Sequence, residues 1–323
     1  MLDKLGRTIN YLRLSITDRC NLRCCYCMPA EGVPSCGHHS ILRYEELLRI
    51  ARVASELGIE KIRVTGGEPL IRKGVIGFLE QLCAIPRLKE VALTTNGLLL
   101  ADMASQLRKS GINRLNISLD SLQSDVFRTI TRGGDLSQVF AGLESAEQVG
   151  LRIKLNMVVM RGVNDREVED FAALSLENPW SVRFIEYMPT IREEAWRNRV
   201  MSGSEVLSQL KQRYNLEPLT TSRLCGPARP YRIRGAMGTV GIITPMTDHF
   251  CASCNRIRVT SQGFAKSCLL SDCAVDLRPY LKADNDGLLL NALSQVASAK
   301  GSHHHLQEDT CNLASFPMAS IGG

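Results

Sequence analysis

Six strand-like runs, each followed by a helical pattern, predict an α/β fold built on a parallel sheet, and a break in that rhythm near residue 220 predicts a smaller second domain. The runs are Tyr11 to Thr17, Lys61 to Thr65, Glu90 to Thr94, Arg114 to Ser118, Arg152 to Val159 and Val182 to Tyr187. Between the first two, the segment Tyr44 to Leu57 sets Leu47, Leu48, Ala51, Ala54 and Leu57 on one helical face, and Gly58 ends the helix. Such helices cover the outside of a sheet. Periodicity alone leaves a closed barrel and an open one undistinguished, but in both the ligands gather at the carboxyl ends of the strands. The repeat ends at Cys225-Gly-Pro-Ala-Arg-Pro-Tyr231, which places the boundary between domains 1–220 and 221–323.

Composition narrows the function class. A chain of 323 residues with 44% hydrophobic side chains can bury one large core and a smaller one. The first seven residues carry charge where a signal peptide needs an apolar run, and no stretch approaches the roughly 20 apolar residues of a membrane span, so a cytoplasmic protein without a membrane partner is expected. Twelve cysteines, most at ligand-like spacings, point to thiolate ligands in a reducing compartment. A net charge of +6 with scattered basic residues excludes the dense stripe of a nucleic-acid binder and suits a small anionic substrate. No solenoid repeat is present; the tract Gly301-Ser-His-His-His305 is the only biased one.

The ends of the strand runs carry the motifs. After the first comes Cys20-Asn-Leu-Arg-Cys24-Cys-Tyr-Cys27. Three thiolates are one too few for a structural zinc, whereas a four-iron cluster on three cysteines keeps one iron open. A redox Cys-x-x-Cys pair and an incomplete zinc knuckle are the plainer alternatives. After the second run, Thr65-Gly-Gly-Glu-Pro-Leu70 lets backbone amides approach a ligand, or is simply a turn. Thr94-Thr-Asn-Gly97 and Ser118-Leu-Asp120 place hydroxyl and amide groups on the same rim, or cap helices. In the second domain Cys251, Cys254 and Cys268 repeat the three-ligand pattern, with Asn255, Arg256 and Arg258 beside the pair and Cys273 available to complete a zinc site.

The C-x-x-x-C-x-x-C spacing with Tyr26 before its last cysteine resembles the radical S-adenosylmethionine enzymes. Along nearly the whole chain the resemblance is to the GTP 3′,8-cyclase (molybdenum cofactor biosynthesis protein A) family. It rests on Leu12 to Pro29, Arg63 to Arg72, Thr131-Arg-Gly-Gly134, Arg183-Phe-Ile-Glu-Tyr-Met-Pro189, the second cysteine group and Met318-Ala-Ser-Ile-Gly-Gly323. It implies a partial (βα)6-type barrel of the radical SAM kind with a smaller C-terminal domain carrying a second iron-sulfur cluster. Cys20, Cys24 and Cys27 would hold one [4Fe-4S] cluster, with Tyr26, Gly67, Ser118 and Met188 around S-adenosyl-L-methionine. Cys251, Cys254 and Cys268 would hold the other, whose open iron takes the guanine. Arg13, Arg63, Thr94, Lys154, Arg256, Ile257 and Arg258 would meet GTP, and Gly322 and Gly323 of the tail would thread into the site. Arg256, Arg258 and the two glycines are the implied catalytic groups beside the first three cysteines.

The implied reaction removes the ribose 3′ hydrogen of GTP with a deoxyadenosyl radical, joins C3′ to guanine C8 and reduces the product radical. The implied partners are an electron donor such as flavodoxin or ferredoxin, cyclic pyranopterin monophosphate synthase downstream, and a second copy in a homodimer. Phe316 stands where the family pattern usually has an arginine, Cys25 is a spare thiol, and Cys273 and His303 to His305 have no implied role. A radical enzyme acting on peptides and a non-enzymatic metal-binding module are the other readings; the GGEP turn and Gly-Gly end give the module no reason to carry them.

Overall fold

The computed structural model describes residues 1–323 except 33–36, 38–39, 191–195, 221–225, 272, 284, 304–317 and 322–323. Its strands are β1 (Tyr11–Ser15), β2 (Lys61–Thr65), β3 (Glu90–Thr95), β4 (Arg114–Ser118), β5 (Arg152–Val159), β6 (Ser181–Glu186), β7 (Leu216–Pro218), β8 (Arg229–Ile233), β9 (Thr239–Ile243), β10 (Arg256–Val259), β11 (Phe264–Lys266) and β12 (Val275–Asp276). The helices between the first six are α1 (Tyr44–Glu56), α2 (Val75–Cys83), α3 (Leu100–Lys109), α4 (Ser124–Thr131), α5 (Leu136–Gln148) and α6 (Val168–Glu177). Beyond β6 come α7 (Trp196–Arg199), α8 (Gly203–Arg213), α9 (Arg278–Lys282), α10 (Asp286–Ser298) and α11 (Met318–Ile321). All six expected strands form, within two residues at either end.

All twelve strands belong to one sheet, ordered β12-β11-β10-β1-β2-β3-β4-β5-β6-β9-β8-β7. The run from β10 through β1–β6 to β9 is parallel, and antiparallel strands extend each edge. Strands from beyond residue 220 thus extend both edges of the six βα units. β9 and β10 lie at opposite ends of the parallel run, yet residues at both line one cavity, so the sheet curves around it.

Strand side chains alternate between faces. Leu12, Leu14, Ile62, Val64, Leu93, Leu115, Ile117, Leu155, Phe184 and Ile257 join the helices in one core. On α1 the fully buried residues are Leu47, Ile50, Ala51, Val53 and Ala54, while Leu48 and Leu57 pack at its margin. Each fully buried leucine contributes about 1.5–3 kcal/mol, so this face holds the layer in place. The opposite face carries Tyr11, Arg13, Lys61, Arg63, Thr94, Arg114, Lys154 and Arg183. Among the described residues no helix is long and apolar enough to cross a membrane, and the nine described cysteines are all free thiols.

Candidate active site

The polar face of the sheet opens into a cavity of about 340 Å³, within the size range of small-molecule sites. Register decides what faces it. Arg13 lies opposite Arg63 on one side and Arg258 on the other, and Tyr11 opposite Lys61 and Arg256. Thr94, Asn116 and Lys154 form another row. Directly opposed strand residues have Cβ atoms about 5 Å apart, so three arginines abreast repel one another. Burial, and then Arg258 and Arg63, hold the Arg13 guanidinium well below the usual arginine range. Burial with Arg183, Arg114, Lys61 and Arg63 brings the Lys154 ammonium down to about 6. Burial pushes the Tyr11 phenol up, but Arg63, Arg13, Lys61 and Arg256 outweigh it and bring it down to about 8. Glu90, on the same face, pairs with Lys61 at 3.5 Å and with Arg114. Arg63 Nε and Thr94 Oγ1 are buried without a hydrogen-bond partner. A polyanion would relieve this crowding of positive charge.

The first cysteine loop leaves β1 at the cavity rim. A turn closes with Cys27 N donating to the Cys24 carbonyl at 2.9 Å, and Leu22 N donates to Cys20 Sγ at 3.4 Å. Burial raises the Cys24 thiol well above its ordinary value, with Asp120 and the neighbouring thiols adding to it, and burial followed by Cys20 pushes Cys27 up to about 12. Thiols that hinder one another's ionisation are the donors a cluster of iron cations stabilises, so this rim fits one. Tyr26 donates to Asp120 Oδ2 at 2.7 Å, and Thr190 Oγ1 donates to the Tyr26 carbonyl at 2.6 Å.

The paired glycines serve the loop itself. A Cβ on Gly66 would lie 2.5 Å from the Thr17 carbonyl oxygen, and one on Gly67 would collide with that of Arg19. Gly67 N donates to Thr17 O at 2.9 Å and Glu68 N to Arg19 O at 2.8 Å. The close approach that the glycines permit is that of the backbone of residues 17–19, while Gly66 and Gly67 also line the cavity. The Glu68 carboxylate accepts from Leu70 N, Thr95 Oγ1 and Asn96 N at 2.7–3.0 Å, and burial raises it to about 7. It ties the ends of β2 and β3 together. Asn96 stands on the rim, its Nδ2 donating to Asn21 Oδ1 at 2.7 Å, while its Oδ1 accepts from Leu98 N in the turn ahead of α3; it does not cap that helix.

The second cysteine group is clamped by two distant cations. Arg7 donates to the carbonyls of Cys251 (2.8 Å), Lys300 (3.2 Å) and Gly301 (2.9 Å), while Lys300 Nζ donates to those of Arg256 (3.0 Å) and Ser267 (2.7 Å). Burial raises the Cys254 thiol, but Arg256 and Lys300 outweigh it and bring it down to about 6; Arg256 Nη2 sits 3.7 Å from its sulfur. Cys251, Cys254 and Cys268 line the cavity, whereas Cys273 is exposed and outside it. Among the described residues no three His, Cys, Asp or Glu side chains converge on a single metal ion. A four-iron cluster asks for something different, because each thiolate binds its own iron.

One cavity thus gathers both cysteine sets with Tyr26, Gly67, Ser118, Met188, Arg13, Arg63, Thr94, Arg256 and Arg258. Lys154 lies outside its lining, and Ile257 points its fully buried side chain into the core between the two arginines. Met318 N donates to the Cys27 carbonyl at 3.1 Å, docking α11 on the first loop. Gly322, Gly323, Phe316, His304 and His305 lie outside the described residues; His303 is exposed and lines the cavity. Sequence reasoning missed Arg183, which interrupts an apolar strand as Arg13 and Arg63 do and had the same signal. It also missed Arg7 and Lys300, whose roles have no local signature.

Comparison with known proteins gives two family matches, the Radical SAM superfamily over residues 14–175 and Molybdenum Cofactor Synthesis C over residues 180–306. A GTP 3′,8-cyclase of Geobacter sulfurreducens is 54% identical, covering 100% of this chain and 99% of the relative. Those of Alkaliphilus metalliredigens and Moorella thermoacetica are each 46% identical over the full length of both chains. Among solved structures, Streptococcus suis SuiB superposes with a TM-score of 0.62 at 14% identity over 95% of this chain and 78% of that one. Native anSMEcpe with bound AdoMet gives 0.60 at 17% identity over 88% and 82%. These two share the fold.

Proposed function

The chain belongs to the GTP 3′,8-cyclase family of radical S-adenosylmethionine enzymes, and from that premise we propose how its own residues carry the reaction. The enzyme converts GTP to (8S)-3′,8-cyclo-7,8-dihydroguanosine 5′-triphosphate, an early step of molybdenum cofactor biosynthesis, with S-adenosyl-L-methionine and two [4Fe-4S] clusters. When bound, these groups supply hydrogen abstraction at ribose C3′ and an open iron for the guanine. Cys20, Cys24 and Cys27 hold the first cluster, and Tyr26, Gly67, Ser118 and Met188 surround the S-adenosylmethionine. Cys251, Cys254 and Cys268 hold the second. Arg13, Arg63, Thr94, Lys154, Arg256 and Arg258 bind the triphosphate, with the main chain of Ile257 between the last two; Lys154 acts from beneath the lining.

The observation that carries this reading is the row Arg258–Arg13–Arg63, set abreast by strand register in the cavity both cysteine sets line. Without an anion the row is repulsive; with a triphosphate it gains charge-assisted hydrogen bonds and fixes the distance from ribose to either rim. The docked α11 supports a route for Gly322 and Gly323 into the cavity. The free thiols and thiolate donors suit a cytoplasmic setting. A flavodoxin or ferredoxin as reductant, cyclic pyranopterin monophosphate synthase downstream, a homodimer and a division at residue 220 complete the proposal.

The test is 5′-deoxyadenosine release by anaerobically reconstituted protein with dithionite, comparing GTP, ATP and no nucleotide. Release stimulated by GTP alone, with a cyclised guanine product, is the expected result. Cys254→Ala should retain slow release and lose GTP turnover; full turnover in that variant would refute the role given to the second cysteine set.

A further inference from the structure

The segment Thr131-Arg-Gly-Gly134 takes no part in the binding scheme, yet it carries the one non-glycine residue of left-handed backbone among the described residues, Arg132, at φ 56° and ψ 51°. The plain reading is that it ends α4, since its amide donates to the Arg128 carbonyl. Helices do end this way, but normally on glycine or asparagine, which adopt the conformation with little strain. An arginine there calls for a use of its side chain. That use is visible: Arg132 Nη1 donates to the Met28 carbonyl at 3.0 Å and to the Arg23 carbonyl at 3.2 Å. These two carbonyls bracket the segment that bears Cys24, Cys25 and Cys27.

The backbone of the same turn pairs with that segment. Arg23 N donates to the Thr131 carbonyl at 3.1 Å and Cys25 N to the Ile130 carbonyl at 2.8 Å. A Cβ on Gly134 would lie 3.1 Å from Leu22 and 2.8 Å from Phe127, so the loop and the turn are in close contact there too. The pairing also sorts two adjacent thiols. Cys24 lines the cavity, whereas Cys25 is absent from its lining and packs against the cluster that contains Ile130 and Trp196. The two amides fill open carbonyls at the end of α4, which fixes where residues 23 and 25 sit along that helix end and so which of the adjacent thiols faces the cavity.

We infer that Thr131–Gly134 is a register clamp for the first cysteine loop, with Arg132 as a positioning residue that selects Cys24 over Cys25 as the ligand. The inference rests on the reading that Cys20, Cys24 and Cys27 hold the first cluster. Arg132→Gly keeps the left-handed turn without strain and removes only the guanidinium's part of the clamp, which separates this role from a merely structural one. The readout is the change that S-adenosylmethionine produces in the electron paramagnetic resonance signal, which reports the first cluster alone in the full chain, followed over time under a chelator.

Arg132→Gly should lose that signal about tenfold faster than the parent, the scale typical for groups that orient metal ligands, while the iron-free chain unfolds at an unchanged or higher temperature. Arg132→Lys should fall between the two. Cys24→Ala with the clamp intact should show no such signal. Equal cluster lifetimes in parent and Arg132→Gly, a parallel fall in the unfolding temperature of the iron-free variant, or a full signal from Cys24→Ala would each overturn the clamp. A parent chain with no S-adenosylmethionine-responsive signal would instead defeat the underlying cluster reading, and the clamp with it.

Discussion

Arg63 shows how a single side chain can be unfavourable to the fold and still suit the triphosphate site proposed for it. It lies opposite Arg13, is partly buried, stacks at 5.7 Å on the Tyr11 ring and leaves Nε without a hydrogen-bond partner. Each hydrogen bond between such a cation and a phosphate is worth about 1.5–3 kcal/mol, whereas its loss from the empty protein relieves like-charge repulsion. Arg63→Met, which keeps the stem's volume, should therefore raise KM for GTP about 10- to 100-fold while leaving the substrate-free chain as stable as the parent or more so. Steady-state kinetics beside urea unfolding would decide it. A variant that unfolds more easily yet binds GTP normally would make Arg63 a structural residue.

At the scale of an element, the β2 turn shows why glycine was required for a reason the motif did not reveal. The paired glycines in Thr65-Gly-Gly-Glu were legible as a close approach, but the approaching group is the backbone of residues 17–19. Gly67→Ala should cost about 2–4 kcal/mol in urea unfolding of the iron-free chain, because the neighbour that must yield is backbone already bonded to Gly67 and Glu68. A cost below about 1 kcal/mol would mean that the loop can retreat. The strands themselves were readable to within two residues, since alternation and β-branched content are local signals. Which of their faces met the cavity was readable only in part. Arg13 and Arg63 stood out as cations in apolar runs, whereas Arg183 was passed over although the same argument applied to it.

Over the whole molecule, the charge gathered inside the sheet predicts how stability follows pH. Burial first, then the neighbouring cations, lower Lys154 from 10.5 to about 6, and burial lowers Lys61 to about 8. A lysine whose folded value is depressed binds fewer protons folded than unfolded between the two values, so its contribution improves as pH rises. Cys254, lowered to about 6 with Arg256 and Lys300 outweighing burial, acts in the same direction below 9. Glu68, raised to about 7 by burial, and Asp120, raised to about 6, act oppositely, but most of their loss lies below pH 7, and the thiols raised by burial, Cys24 and Cys27 among them, oppose the rise only as pH nears 9. The iron-free chain should therefore gain stability between about pH 7 and 8.5, and Lys154→Met should flatten that rise. Inorganic triphosphate should flatten it too, by restoring the lysine's charge. Urea midpoints falling across this window would contradict the arrangement.

Local patterns settled much of this protein. Strand alternation, helical periodicity, cysteine spacing and the GGE turn each lie within a few residues of one another, and short-range sterics and ligand geometry fix what they can be. From them followed a parallel α/β fold and two sets of three thiolates at strand ends. Other features depend on groups far apart in the chain. Strand register put Arg258, Arg13 and Arg63 abreast, although Arg13 and Arg258 stand 245 positions apart in the sequence. Arg7 and Lys300 crossed the molecule to hold the second cysteine group, and the turn after α4 separated Cys24 from Cys25. Only the tertiary structure decided these, because interstrand hydrogen bonding and the burial of one face choose among registers that the local sequence leaves equal in energy.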